Sequence, residues 1–132
     1  TAAIGPASFK LYSSDIGLLA SQVNLTGSAL QMNPQWQGIM AENYVAQSLV
    51  ANGHQLLYWT SGNTAELDFV LVQQGQVVPL EVKSSTRVRS RSLDSFIKQY
   101  RPTKAFRLSE RNFGLADGIY SLPLYAAYTI RA

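Results

Sequence analysis

The sequence predicts an α/β domain with a mixed central sheet flanked by helices. Three observations support this fold class: a hairpin of two apolar strands near mid-chain, a long helix before it, and a shorter helix with two more strands after it. Elements in this order pack as layers around a single core. The 132 residues suffice for one domain, and we expect it to span residues 1–132.

The hairpin is the clearest predicted element. Residues 66–73 and 76–84 are rich in β-formers, and Gln74-Gly75 lies between them as a two-residue turn. Both strands are almost continuously apolar, which is typical of strands covered on both faces of a sheet. We therefore expect this hairpin to lie at the centre of the sheet.

Apolar residues at helical spacing predict a helix from about Gln35 to Asn52, with Gly53 as its left-handed stop. A second helix is predicted from Leu93 to Tyr100, ended by Pro102. The other predicted elements are strands at 56–60, 104–109 and 118–122, a turn at 61–64, a basic loop at 85–91 and a helical segment at 124–130.

The N-terminal region carries weaker signals. We expect a short strand at residues 9–12 and a loop over residues 24–34. Between them, a short helix is predicted to run through Ile16 to Leu19, with Ser13 or Ser14 as its N-cap.

Composition excludes several classes of protein. The chain has no cysteine, so it holds neither a disulfide nor a thiolate metal site. No apolar run approaches the roughly 20 residues that cross a bilayer, and no signal peptide is visible, so we expect no membrane partner and a cytoplasmic location. Because the first residue is Thr1 rather than Met, we also expect a fragment of a longer protein.

The basic residues are concentrated in one stretch. The net charge is only +3, yet nine of the eleven basic residues lie between Lys83 and Arg111, where only Asp94 and Glu110 oppose them. Such a concentration suits a polyanion such as nucleic acid. A solvated basic face without a ligand is an equally good interpretation of the charge alone.

Two pairs of charged residues lie across the hairpin. The turn at Gln74-Gly75 sets a register that places Asp68 opposite Glu81 and Glu66 opposite Lys83. Residues opposed in this way have Cβ atoms roughly 5 Å apart, so the carboxylates of Asp68 and Glu81 repel each other. They also resist transfer into an apolar hairpin.

Either a raised pKa or a hard divalent cation would relieve this repulsion. Oxygen ligands without a nearby histidine or cysteine favour Mg²⁺ or Mn²⁺ over zinc. The alternative is a register slip that puts Asp68 at a solvent edge and leaves Glu66 and Lys83 as a plain ion pair.

An acid, about a dozen residues, and then Glu81-Val82-Lys83 on the next strand resembles the signature of the PD-(D/E)XK nuclease superfamily. Asp68 is that acid. The superfamily often adds an acid on the preceding helix, and Glu42 occupies this place. The resemblance implies a restriction-endonuclease-like fold.

A closer resemblance covers nearly the whole chain. It is to the nuclease-like C-terminal domain of unknown function that follows an AAA-type ATPase domain in many bacterial and archaeal proteins. No G-x-x-x-x-G-K-[ST] motif is present, so such an ATPase would lie upstream. The matching segments are Phe9–Tyr12, Ser14–Leu19, Glu42-Asn43, Tyr58-Trp59, Glu66–Phe69 and Val78–Lys83.

These resemblances imply a Mg²⁺- or Mn²⁺-dependent nuclease that hydrolyses DNA. Asp68, Glu81 and the backbone carbonyl of Val82 would hold the metal, Glu42 would complete its shell, and Lys83 would assist the attacking water. The basic residues after the site would hold the phosphate backbone, namely Arg87, Arg89 and Arg91. The alternative is a catalytically inactive nuclease fold that binds nucleic acid or packs against the ATPase partner.

Overall fold

A computed structural model of the protein describes residues 10–62, 64–85 and 90–132. Within these residues one mixed sheet has six strands, in the order β1-β2-β3-β4-β6-β5. The β3–β4 and β4–β6 pairs are parallel and the others antiparallel. The strands are β1 Leu57–Ser61, β2 Ala65–Gln73, β3 Gln76–Val82, β4 Ala105–Ser109, β5 Gly114–Ala116 and β6 Ile119–Pro123.

Helices flank this sheet, as the sequence predicts. In the described parts of the chain they are α1 Ile16–Gln22, α2 Gly27–Met32, α3 Pro34–Ala51 and α4 Arg91–Tyr100, with a 3-10 segment at Leu124–Thr129. None of them is long and apolar enough to cross a membrane.

The long helix α3 has the predicted length and ends. At its start, the Asn33 side chain accepts a hydrogen bond from the backbone N–H of Gln35 at 3.0 Å, and Pro34 occupies the first helical position. Gly53 follows its C-terminus with a φ of +89°, which is the predicted left-handed stop.

The hairpin turn also forms as predicted. Gln74 and Gly75 have φ angles of +51° and +75°, the left-handed pair that a two-residue turn of this hand requires. The strand pairs run from Gln73–Gln76 to Phe69–Leu80, so the predicted register is confirmed over this stretch. A register slip is therefore excluded for the paired residues.

The sheet is covered on both faces, which explains the apolar strands. One cluster joins α3 and the C-terminal 3-10 segment to residues such as Phe69, Leu71 and Leu80. A smaller cluster joins α4, through Leu93 and Phe96, to the other face. The hairpin strands lie second and third in the sheet and reach both clusters.

One irregularity in β2 places the charged end of the hairpin. Leu67 and Val70 both pack toward α4, whereas Phe69 packs toward α3. Strict alternation would put Leu67 and Val70 on opposite faces. The β1–β2 register shifts at this level, which marks a β-bulge beside Asp68. Bulges re-aim side chains, and this one lies where the carboxylates gather.

The N-terminal predictions were partly wrong. Residues 10–12 are not a strand, and Phe9 lies outside the described residues. The N-cap of α1 is Asp15 rather than Ser13 or Ser14, because its carboxylate accepts the backbone N–H of Leu18 at 2.9 Å.

Two short elements were missed. Residues 27–32, predicted as loop, form α2, whose N-cap is Thr26. Strand β5 pairs with β6 across Asp117 and Gly118, which both have positive φ. All three residues of β5 are exposed, so no apolar pattern marks it. The predicted basic loop ends early because α4 already begins at Arg91.

Gly75→Ala is expected to destabilise the domain by about 1 to 2 kcal/mol, since only glycine adopts its left-handed conformation without cost. A β-carbon there would contact nothing within 4 Å, so the effect isolates the backbone. Gly27→Ala is the matched control, because that position is equally open but helical. It should be neutral or stabilising by up to about 1 kcal/mol.

Urea unfolding of both variants measures the difference. Equal effects at the two glycines would contradict the assigned turn.

Candidate active site

The carboxylates gather where β2 and β3 part. The ladder between these strands reaches Phe69–Leu80, and the next residues on the two strands are Asp68 and Glu81. Instead of forming a strand pair, the carboxylate of Asp68 accepts the backbone N–H of Val82 at 2.9 Å. The predicted direct opposition of Asp68 and Glu81 is therefore replaced by a fork, with the Asp68 side chain lying between the strands.

Asp68 is held in an environment that disfavours its charge. Burial, and then the nearby negative charge of Glu42, raises the pKa of Asp68 to about 6. The hydrogen bond from Val82 and the charge of Lys10 act in the opposite direction, and Glu81 adds further to the rise. Of these charges, the Lys10 ammonium lies 3.9 Å from the Asp68 carboxylate.

Glu42 projects from α3 toward the fork. Its Oε1 atom accepts hydrogen bonds from the ammonium of Lys10 at 3.1 Å and the hydroxyl of Tyr12 at 2.5 Å. Burial and this hydrogen bond raise the pKa of Tyr12 well above its usual range, so Tyr12 remains a donor. Glu42 thus lies near Asp68, as predicted. A lysine that was not predicted lies within 4 Å of both carboxylates.

That cation is Lys10, which precedes α1. Its Nζ atom lies 2.6 Å from Glu66, 3.1 Å from Glu42 and 3.9 Å from Asp68. Burial alone would lower the pKa of Lys10, but the hydrogen bond to Glu66 and the charge of Glu42 outweigh it and raise the pKa. Lys10 is therefore the firmly protonated centre of a group of three carboxylates.

Glu81 forms a second group with two other cations. Its side chain is only 5% exposed, and its Oε1 lies 3.4 Å from the Nζ of Lys83. On the neighbouring strand Arg107 pairs with Glu81, and its Nε lies 3.9 Å from Glu81 Oε2. Lys83 and Glu81 share a face as predicted, whereas the predicted contact of Lys83 with Glu66 is replaced by this one.

One oxygen in the second group lacks a hydrogen bond. Within the described residues, Glu81 Oε2 is buried without any hydrogen-bond partner, and so is Arg107 Nε beside it. A buried carboxylate oxygen left in this way is costly. It marks the place where a further cation or donor would stabilise the protein.

Two cavities border these groups. The smaller, of about 240 Å³, has Asp68 in its wall, and the larger, of about 400 Å³, has Glu42 and Glu66. Lys10 and Tyr12 line both. Solvent and small ions can therefore approach Glu42, Glu66 and Asp68, whereas Glu81 lines neither of these two cavities.

The predicted backbone-binding arginines are only partly placed. Arg87 and Arg89 lie outside the described residues. Arg91 is exposed in the first turn of α4. The neighbouring Ser92 accepts the backbone N–H of Glu66 at 3.2 Å, so this end of α4 lies close to the fork.

The donor set fits a hard divalent cation. Asp68, Glu81 and the carbonyl of Val82 offer only oxygen, which Mg²⁺ and Mn²⁺ prefer. Glu81 Oε2, which has no hydrogen bond among the described residues although Arg107 Nε lies 3.9 Å away, is the oxygen left open to an ion. Within the described parts of the chain, no three acidic or histidine side chains already form a ready metal-holding group. The carboxylates would have to draw together around an ion.

Sequence reasoning missed Lys10 and Arg107. Arg107 had a visible signal, since it interrupts the apolar strand β4 beside the strand that carries Glu81. Lys10 had none of this kind, because its partners lie more than 30 residues away and outside any local period.

Asp68→Asn is expected to stabilise the metal-free protein at pH 8 by about 1 to 3 kcal/mol. The folded Asp68 has a pKa of about 6 against an ordinary value of 3.8, so the folded state binds this proton more tightly than the unfolded state. Its contribution to stability is present below about pH 4 and is lost as the pH rises toward 6. The amide oxygen of the variant can still accept from Val82.

Urea unfolding with a chelator present, at pH 4 and pH 8, measures this effect. The advantage of Asp68→Asn should shrink strongly at pH 4. Asp94→Asn is the control, since Asp94 is exposed in the first turn of α4 and should lose a few tenths of a kcal/mol instead. An Asp68→Asn difference that does not change with pH would contradict the assigned environment.

Comparison with known proteins gives a family but no activity. No curated protein and no solved structure matches the chain. The profile of one family matches residues 37–127, a span that contains Glu42, Asp68, Glu81, Lys83 and Arg107. This span is more than half of the chain, and the protein therefore belongs to the family described as domain of unknown function DUF4143.

Proposed function

We propose that this chain is a divalent-metal-dependent nuclease domain that hydrolyses DNA phosphodiester bonds at the fork between β2 and β3. The observation that carries the proposal is the arrangement of Glu81. Its carboxylate is buried beside Asp68, has Lys83 at 3.4 Å and keeps one oxygen without a hydrogen bond in the described structure. Such a carboxylate costs stability in a purely structural domain, whereas a metal-dependent phosphodiesterase needs it as a ligand.

The sequence resemblance supports the same chemistry. Asp68 and Glu81-Val82-Lys83 resemble the PD-(D/E)XK signature in order and spacing, and Glu42 matches the helical acid. The sheet of mixed direction with helices on both faces agrees with the fold that the resemblance implies. Membership of DUF4143 by itself assigns no activity.

Asp68, Glu81 and the backbone carbonyl of Val82 would hold the cation, with Glu42 reaching it directly or through a water. When bound, Mg²⁺ or Mn²⁺ would lower the pKa of a held water and offset charge on the scissile phosphate. The pKa of Asp68 is raised in the metal-free state, and a bound cation would lower it by stabilising the charged carboxylate.

Hydrolysis joins the water oxygen to phosphorus and breaks the ester bond to the leaving sugar oxygen. The proton of the water passes to solvent, and the leaving oxygen takes up a proton from solvent. Lys83, held against Glu81, would stabilise the extra negative charge on the phosphoryl oxygens. Arg107, on the other side of Glu81, places a second positive charge next to that buried carboxylate.

The nucleic acid would lie along the basic residues that follow β3. Arg87, Arg89 and Arg91 would contact phosphates, which gives affinity without base choice and a steep dependence on salt. Arg91 begins a helix whose next residue, Ser92, hydrogen-bonds to the strand that carries Asp68. A backbone held there would pass close to the fork.

The wider context belongs to the same proposal. We propose that the domain follows an AAA-type ATPase domain and works in the cytoplasm, on the strength of the closer sequence resemblance. The ATPase would then be the partner that presents DNA to the fork.

A non-catalytic role is the second candidate. Lys10 already places a positive charge among Glu42, Glu66 and Asp68, so part of the carboxylate group is neutralised without any metal. A nuclease fold of this kind would bind nucleic acid or the ATPase domain and cleave nothing.

Cleavage of labelled single- and double-stranded DNA with Mg²⁺ or Mn²⁺ tests the proposal. Glu81→Gln and Lys83→Met should each lower the rate by about 100-fold or more, because each removes charge at the reacting phosphate. Glu110→Gln and Arg131→Met are the controls, since both residues are exposed and outside the site, and Arg131 also lies outside the basic stretch of arginines and lysines. Their rates should stay near that of the wild type.

Cleavage that needs metal and disappears only in the site variants supports the nuclease. Cleavage that survives Glu81→Gln points to a contaminating enzyme and contradicts it. Well-folded wild type that binds DNA but neither cleaves it nor binds Mn²⁺ supports the non-catalytic candidate.

A further inference from the structure

The ammonium of Lys10 stands where a cation with three oxygen ligands would stand. Its nitrogen lies within 4 Å of carboxylate oxygens from Glu42, Glu66 and Asp68, at 3.1, 2.6 and 3.9 Å. An ammonium has three N–H donors, and three carboxylates surround this one. The side chain is only 22% exposed, so water screens these attractions weakly.

Lys10 is also held firmly in this position. The Tyr12 hydroxyl donates to the same Glu42 oxygen, two residues after Lys10. The buried Asn43 side chain then accepts the N–H of Ser13 at 2.8 Å and donates to its carbonyl at 3.1 Å. This segment is therefore tied to α3 close to Lys10, and the ammonium is fixed relative to Glu42.

The acidic side chains form two groups that share Asp68. The first is Glu42, Glu66 and Asp68 around Lys10. The second is Asp68 and Glu81, the residues that follow the end of the β2–β3 ladder; in the described structure Glu81 Oε2 has no hydrogen bond, although Arg107 Nε lies 3.9 Å from it. Two adjacent cation positions that share a carboxylate are the arrangement in which phosphodiesterases with two metal ions work.

We propose that Lys10 permanently fills the first of these positions, so that the domain takes a single divalent ion, between Asp68 and Glu81. The charge that a second ion would bring is supplied by the Lys10 ammonium. This inference rests on the proposed metal-dependent function and adds to it the number of ions and the residue that limits that number.

Removal of Lys10 should open the first position to metal. Glu42, Glu66 and Asp68 would then be three carboxylates without a counter-charge, and the oxygens would draw in toward the roughly 2.1 Å that Mg²⁺ prefers. Mn²⁺ serves as the probe because its binding is seen both in calorimetry and in electron paramagnetic resonance.

The test is titration of the chain, without DNA, with Mn²⁺. Wild type should bind one ion, and Lys10→Met should bind two that are magnetically coupled. Lys10→Met combined with Glu66→Gln should return to one ion. The second change removes a ligand of the new position and relieves the repulsion of Glu66 by Glu42 and Asp68. Lys98→Met, an exposed lysine changed in the same way, should behave as wild type.

Two ions in wild type, or one ion in Lys10→Met, would overturn the inference while leaving the metal site intact. No Mn²⁺ bound by wild type would instead overturn the proposed function, and with it this inference. If Lys10→Met folds poorly, its thermal midpoint with and without Mn²⁺ decides. A rise larger than that of wild type supports the second position, and an equal or smaller rise contradicts it.

Discussion

The concentration of negative charge at the open end of the central hairpin is the constraint on which the site depends. Glu42, Glu66, Asp68 and Glu81 come from one helix and two strands, and all but the exposed Glu66 have limited access to water. Carboxylates in such a place must be protonated, paired or bound to a cation. The described structure shows ion pairs for all four carboxylates, and a bound cation would complete the proposed function.

The hairpin and its bulge produce this concentration of charge. The turn at Gln74-Gly75 sets the register, and the ladder stops at Phe69–Leu80. Beyond that level the Val82 amide donates to the Asp68 side chain, while the opposite edge of β3 pairs with β4. The bulge in β2 lies at this level, and the two strands leave a fork that is lined by acidic side chains.

Three positively charged side chains form ion pairs with the carboxylates at the fork. Lys10 serves Glu42, Glu66 and Asp68, while Lys83 and Arg107 flank Glu81. Burial and the nearby charge of Glu42 still raise the pKa of Asp68, in spite of Lys10. A divalent cation bound beside Asp68 would offset both influences.

Much of the fold was readable from the sequence because its signals are local. The helical spacing from Gln35 to Asn52 and the left-handed turn at Gln74-Gly75 depend only on neighbouring residues, and both were confirmed. The prediction of short elements failed where such a local signal is missing. The exposed strand β5 has no apolar alternation, although the Asp117-Gly118 turn was a usable signal.

The candidate site was predicted only in part, because its contacts are long-range. Register counting brought Asp68 next to Glu81, and the resemblance added Glu42. It could not show that the β2–β3 ladder stops before this level, beside a bulge that is visible only in the pairing of β2 with β1. Nor could it find Lys10, whose partners are fixed by the docking of the N-terminal segment on α3.

The location of a bound ion decides whether the fork between β2 and β3 is a metal site. Small amounts of Mn²⁺ broaden the nuclear magnetic resonance signals of amides near the ion, and this can be followed in the ¹⁵N spectrum. We expect the amide signals of Asp68 and Val82 to lose intensity first. Those of Gln74 and Gly75, about 17 Å or more away along the hairpin, should keep theirs. Broadening centred on exposed acids such as Asp94 or Glu110, or no broadening at all, would contradict a metal site at the fork.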